Sequence, residues 1–167
     1  TPIKFGGRAL DRATILDVTA VVGDRRGRRA RGSGSMPLGN VWSWPSRALG
    51  YDRTLAAMER HARKLVRLLP RTGGWGHPVD LAMEAEGEVA RSGLEAAREA
   101  GIREPMPALC ALVTASPFDA AVHDAYGRLH GRNSYDCLGR RFMRHDLGKW
   151  LGGRFRGEYL DRYTLGR

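Results

Sequence analysis

Acid–base chemistry needs a carboxylate or an imidazole held within reach of a second polar group. The chain of 167 residues offers such pairs at close spacing. His123-Asp124 and His145-Asp146 are adjacent, with Lys149 just behind the second pair. Neighbours on a helix point roughly 100° apart, so His123 and Asp124 do not serve one site. His145, Asp146 and Lys149 fit no motif with a mechanism. Glu84, Glu86, Glu88 and Glu95 invite a metal or paired-carboxylate reading. They alternate with Arg91 and Arg98, however, and read as the solvated side of a helix. His61 lies beside Arg60 and Arg63 and reads as a surface histidine. Cys110 and Cys137 fall in apolar helical patterns and read as free buried thiols in a reducing compartment. No Cys/His spacing suits zinc. No catalytic and no metal-ligating residue is assigned.

The formal net charge is +10. A basic excess of this size raises binding to nucleic acid or acidic lipid as a possibility. Nearly all of it is arginine, for the only lysines are Lys4, Lys64 and Lys149. The arginines are spread along the chain, and their one dense run is Arg25 to Arg31. That run reads as a solvated hairpin turn, with a basic nucleic-acid-binding module as the alternative. No apolar run is long enough to span a membrane, and no signal peptide is visible. The chain begins at Thr1 without a methionine and stops at Arg167 without a structural ending, so a piece of a longer polypeptide is expected.

The elements that would position these residues follow from periodicity. Ile3 and Phe5 alternate with Lys4 as in a short edge strand, and Gly6-Gly7 bends the chain. Ala13 to Gly23 is the clearest strand. Leu16, Val18, Ala20 and Val22 share one face, and Ile15, Asp17, Thr19 and Val21 share the other. Asp24 to Gly27 makes the turn, with Gly27 suited to positive φ. On the return strand, Arg28 to Met36, the residues Ala30, Gly32, Gly34 and Met36 face one way, and the glycines imply close packing there. Tyr51 to Leu69 is a helix with Leu55, Met58, Ala62, Leu65, Val66 and Leu69 inward and Pro70 as its stop. Trp75 is placed in the core. A second helix runs from His77-Pro78 to Gly101, with Leu81, Ala85, Val89, Ser92 and Ala96 inward. Pro105 to Val113 reads as a short buried helix.

The next stretch, Ser116 to Gly139, is the most tightly specified. Ser116 suits an N-cap, Pro117 a first helical position, and Asp119 the first turn. Phe118, Val122, Ala125 and Leu129 form an apolar stripe, Gly131 ends the helix, and Asn133-Ser134 restarts the chain. The run resembles the last helix of the N-terminal cap domain of the enolase superfamily, in its mandelate racemase / muconate lactonising branch. There the sequence reads roughly Ala-Leu-Trp-Asp-Leu-x-Gly-Lys-x-x-Gly-x-Pro, then x-Tyr-x-Leu-Leu-Gly. Ala121, Val122, Asp124, Gly127, Arg128, Gly131, Tyr135, Leu138 and Gly139 fall in step with it. Asn133 replaces the proline and Cys137 a leucine. Gly32-Ser33-Gly34-Ser35 resembles the Gly-x-Gly-Glu that ends the third strand, with serine for glutamate.

The resemblance implies an α+β fold, an N-terminal three-stranded antiparallel meander packed on a helical bundle. It covers residues 1–139 as the cap domain, and residues 140–167 become the crossover towards a (β/α) barrel. The family's chemistry is removal of a proton α to a carboxylate, with Mg²⁺ and the base held by the barrel. The chain would then be the substrate-capping part of a Mg²⁺-dependent acid-sugar dehydratase, racemase or cycloisomerase, inactive alone. The resemblance implies that Met36, Asn40, Trp42 and Trp44 close on the substrate and keep water out; read from the residues alone, Trp42 and Trp44 could instead plug the sheet against the helices. It makes Asp124 a scaffold residue. The expected partners are the chain's own C-terminal barrel and a small carboxylate such as an acid sugar. A homo-oligomer of the full-length protein in the cytoplasm is expected, with no membrane, and with nucleic acid only under the alternative reading of the Arg25 to Arg31 run. A non-catalytic interaction domain is the remaining alternative.

Overall fold

The computed structural model describes residues 3–5, 8–10, 12–72 and 74–164, with side chains from residue 12 onward. The fold is α+β. Strands β1 (Ile3–Phe5) and β2 (Arg8–Leu10) pair antiparallel, with Ile3 opposite Leu10 and Phe5 opposite Arg8. Strands β3 (Ile15–Gly23) and β4 (Arg29–Pro37) form a second hairpin. The expected meander of three strands is thus found as two separate two-stranded sheets among the described residues. The bend expected at Gly6-Gly7 lies outside them. A short helix α1 (Asn40–Ser43) follows, then three long ones: α2 (Tyr51–Thr72), α3 (Pro78–Glu99) and α4 (Ala108–Leu129). A 3₁₀ turn (Ser134–Cys137), helix α5 (Gly148–Leu151) and two further 3₁₀ turns follow among the described residues.

The hairpin keeps the period of two that its sequence dictates. Along β3, Leu16, Val18, Ala20 and Val22 are half-buried, while Ile15, Asp17, Thr19 and Val21 are exposed. Asp24 sets the turn. Its backbone N–H donates to Arg28 O at 3.0 Å, and its carboxylate accepts the N–H groups of Arg26 and Arg28 at 2.9 and 3.0 Å. Gly27 takes φ of 81°, which a side chain would resist.

Two prolines do not bound helices where the sequence suggests, Pro70 as a stop and Pro117 as a first position. Pro70 lies inside α2, which runs on to Thr72. A proline this near a C-terminus forfeits only one bond, to the carbonyl of Val66. Val66 itself is 61% exposed, a correction to its inward placement. Pro117 lies inside α4, so the short helix from Pro105 and the helix from Ser116 are one element starting at Ala108. Ser116 is therefore no N-cap.

The chain divides into two compact units, the first made of residues 1–17, 35–71 and 86–117 and the second of 18–34, 72–85 and 118–167. The first unit's core holds Leu38, Trp44, Ala57, Met58, Leu65, Val89, Ile102 and Cys110. Burying a side chain such as Met58 or Leu65 is worth about 1.5–3 kcal/mol. Lys64 bridges Glu95 and Glu99 at 3.1 and 2.6 Å, so Glu95 belongs to a surface ion-pair network. The second unit's core holds Phe118, Ala121, Ala125, Cys137, Met143 and Leu147. Against it lies the inner face of the hairpin. A Cβ on Gly32 would overlap the backbone nitrogen of Ala125 and the carbonyl of Ala121. Both cysteines are free and buried. No helix of the described residues is long and apolar enough to cross a membrane.

Candidate functional site

The stretch from Met36 to Ser46 carries the four predicted pocket residues, all in the first unit. Met36 is half-buried near the end of β4. Asn40 opens α1 and is 2% exposed. Its amide donates to Tyr51 O at 2.8 Å and to Thr54 Oγ1 at 2.9 Å. Trp44 is likewise 2% exposed, and its indole N–H donates to Glu104 Oε1 at 2.8 Å. The other oxygen of Glu104 accepts from Ser46 Oγ at 2.7 Å. Ser46 Oγ in turn accepts the N–H groups of Ala48 and Leu49. Asn40 and Trp44 therefore spend their polar atoms inside the protein and fasten the loop. Trp42 is half-buried, and its indole lies so close over Gly39 that a Cβ there would overlap it. Met36 and Trp42 are the two of the four whose side chains remain partly open.

Beneath the loop the chemistry is inert. Burial pushes the Cys110 thiol up to about 11, the Ser43 hydroxyl offsetting this only in part, so it is no nucleophile at neutral pH. His61 is fully buried, a correction to its surface assignment. It continues the line Ala57–His61–Leu65 at helical spacing, and Gly93 leaves room for the ring. Its Nδ1 lies 3.2 Å from Ser92 Oγ. Burial lowers its pKa to about 4, so it is neutral near pH 7.

The second unit contains a polar cluster that no sequence spacing announces. Asp80, in the first turn of α3, is 2% exposed. Its Oδ1 accepts the Nδ1–H of His145 at 3.0 Å and the indole N–H of Trp150 at 3.3 Å. Its Oδ2 accepts the N–H of Arg144 at 3.3 Å. A carboxylate only accepts, which fixes the proton on His145 Nδ1. A carboxylate that orients an imidazole is also the supporting half of a catalytic triad. Here no hydroxyl or thiol hydrogen-bonds to His145 among the described residues, and the cluster anchors residues 144–150 to α3. His77 packs edge-on to Tyr126 at 5.0 Å, and burial lowers its pKa to about 4.

Adjacent residues His123 and Asp124 do part ways. His123 Nε2 lies 3.7 Å from Asp119 Oδ1. Asp124 Oδ2 accepts the backbone N–H of Ser33 at 2.9 Å, and both its oxygens accept from Arg128 Nε at 3.0 Å. The Arg128 guanidinium, then the Ser33 amide, hold this carboxyl below its usual range. Asp146 accepts the N–H of Gly157 at 2.7 Å and closes a turn. Trp75, expected in the core, is 60% exposed. The described residues contain no group of three or more His, Cys, Asp or Glu suited to a metal ion. No protein-family description, no curated protein and no solved structure matches the chain.

Proposed function

We propose that this chain is the substrate-capping part of a mandelate-racemase-like enzyme that removes a proton α to a carboxylate. In this reading β3 and β4 are two strands of the cap's three-stranded meander, and residues 140–167 lead towards a (β/α) barrel. The observation that carries it is the bond from the Ser33 N–H to Asp124. It joins the Gly-x-Gly of the hairpin to the Asp of the helix, the two stretches on which the resemblance rests. Three glycines of the resemblance also have physical work. Gly127 packs against the backbone of Arg132 and Ser134, Gly131 takes φ of 63°, and Gly139 lies against Asp161. These are demands of the fold, which is where a cap-specific pattern should exert itself.

Mg²⁺ would stabilise the charge that develops on the substrate carboxylate. The described residues do not fit it, so no step through the metal is assigned to this chain. The chain's own task is to wall the substrate and exclude water, which strengthens the electrostatics within. In this reading the half-buried Met36 and Trp42 touch substrate, and Asn40, Trp44 and Glu104 hold their loop. The substrate class is a small carboxylate such as an acid sugar, and the working form is a cytoplasmic homo-oligomer. The test is made on the chain continued into its barrel. Trp42→Ala and Met36→Ala should raise KM or change substrate preference while Mg²⁺ affinity is unchanged. Unaltered KM and preference in both variants would remove these residues from the pocket.

A further inference from the structure

The tip of the second hairpin, outside the capping role, combines three features. The first is charge. Arg25, Arg26, Arg28, Arg29 and Arg31 face a single acid, Asp24. Asp24 is already engaged by Arg28 Nε at 2.7 Å and by two backbone N–H groups. Arg25, Arg26, Arg29 and Arg31 make no ion pair among the described residues. The alternation of β4 turns Arg29 and Arg31 to the exposed face. The second feature is an aromatic surface. Trp75 is 60% exposed, and the Arg25 guanidinium lies 5.6 Å from its ring centroid. The third is shape, a hollow of about 550 Å³ lined by Val22, Asp24, Arg28, Arg29 and Trp75 among others. That volume lies in the range of small-molecule sites.

We propose that this tip binds single-stranded nucleic acid. Unpaired guanidiniums take phosphates, and a flat ring flanked by an arginine takes an unstacked base. An acidic protein surface would need the charges but not the ring. A duplex, whose bases are already stacked, would gain nothing from Trp75. The occupant that uses every feature is a strand with both phosphates and free bases.

The test is fluorescence anisotropy of a labelled oligothymidylate titrated with the 167-residue chain, with tryptophan emission followed in parallel and the share of Trp75 taken as the difference from Trp75→Phe. Binding should weaken steeply with salt and quench the tryptophan. Arg29→Ala with Arg31→Ala should lower affinity about tenfold and flatten the log–log salt slope by about 1.4, because two phosphates of the single strand are then no longer neutralised. Trp75→Ala should lower affinity roughly 5- to 100-fold with an unchanged slope, and Trp75→Phe should restore much of it. These side chains are exposed, so the variants should fold, as circular dichroism will check. Three results would each overturn the proposal. They are no binding at low salt, equal binding of duplex and single strand with Trp75→Ala silent, and capture by phosphatidylserine vesicles without oligonucleotide binding.

Discussion

The Ser33 backbone N–H donates to Asp124 Oδ2 at 2.9 Å across 91 residues of sequence. This bond ties the return strand of the hairpin to α4, and Arg128 holds the carboxylate in place from one helical turn on. Removing it in Asp124→Ala should destabilise the protein by about 1.5–3 kcal/mol, the usual worth of a hydrogen bond to a charged group. Urea denaturation measures this, and Asp124→Asn should recover part of it. The folded-state pKa of Asp124 is depressed, so the folded state binds its proton less readily than the unfolded one. The stability it contributes is present above the unfolded carboxylate range and is lost as pH falls through the depressed value. Asp124→Ala should flatten that part of the acid limb.

Two glycines should respond to alanine in opposite directions. At Gly32 a methyl would collide with α4 backbone, including Ala125 Cα at 2.7 Å, and neither segment can yield cheaply. Gly32→Ala should lose several kcal/mol, about the upper range for overpacking, or fail to fold. At Gly87, within α3, a Cβ meets nothing within 4 Å. Gly87→Ala should raise stability by about 0.5–1 kcal/mol, the propensity gain in an exposed helix. Thermal denaturation of the two variants side by side checks both signs.

Acid should unfold the protein through its buried histidines. His61 and His77 have folded pKa values lowered from 6.5 to about 4, in each case chiefly by burial. The unfolded chain therefore takes up protons that the folded one refuses. Stability should fall as pH drops from about 6.5 towards 4, by on the order of 3 kcal/mol per histidine. His61→Leu should remove about half of this dependence in urea melts at stepped pH. A stability unchanged between pH 7 and 4.5 would be the opposite result.

Glu104 should prove necessary to the loop although it lies outside the loop's sequence. In Glu104→Ala the Trp44 indole N–H loses its acceptor, and Ser46 Oγ loses its bond to Glu104. A buried donor left unpaired costs about 1–3 kcal/mol. The expected result is a loss of that size in chemical denaturation. Amide exchange should quicken at Ala48 and Leu49 and stay unchanged far from the loop.

What the sequence can say is set by local repetition. The faces of β3 and β4 read correctly because side chains alternate strictly, and Gly32 betrays a close neighbour by its lack of a side chain. The inward line of α3, Ala85, Val89, Ser92 and Ala96, is legible for the same reason. Pro70, read as a helix stop, and Pro117, read as a helix start, mislead because proline removes one bond but need not bound a helix when the turns on either side hold it. The charged neighbours of His61 suggest a surface position, although the spacing from Ala57 to Leu65 puts it on the buried line. The Asp80–His145 pair could not be read at all, since 65 positions separate two residues with no shared motif. Within the loop from Met36 to Ser46, the resemblance implies a pocket, but only the fold separates Trp44, spent on Glu104, from the partly open Trp42.

The capping proposal rests on a division of labour, with the lid in these residues and the reactive groups on a barrel. Deuterium incorporation at the α-carbon of acid sugars in D₂O with Mg²⁺, followed by proton NMR, reads it out. No exchange is expected with residues 1–167 alone, and exchange is expected when the chain continues into its barrel. Exchange catalysed by residues 1–167 alone, or none with the barrel attached across a broad set of sugar acids, would show the division to be wrong.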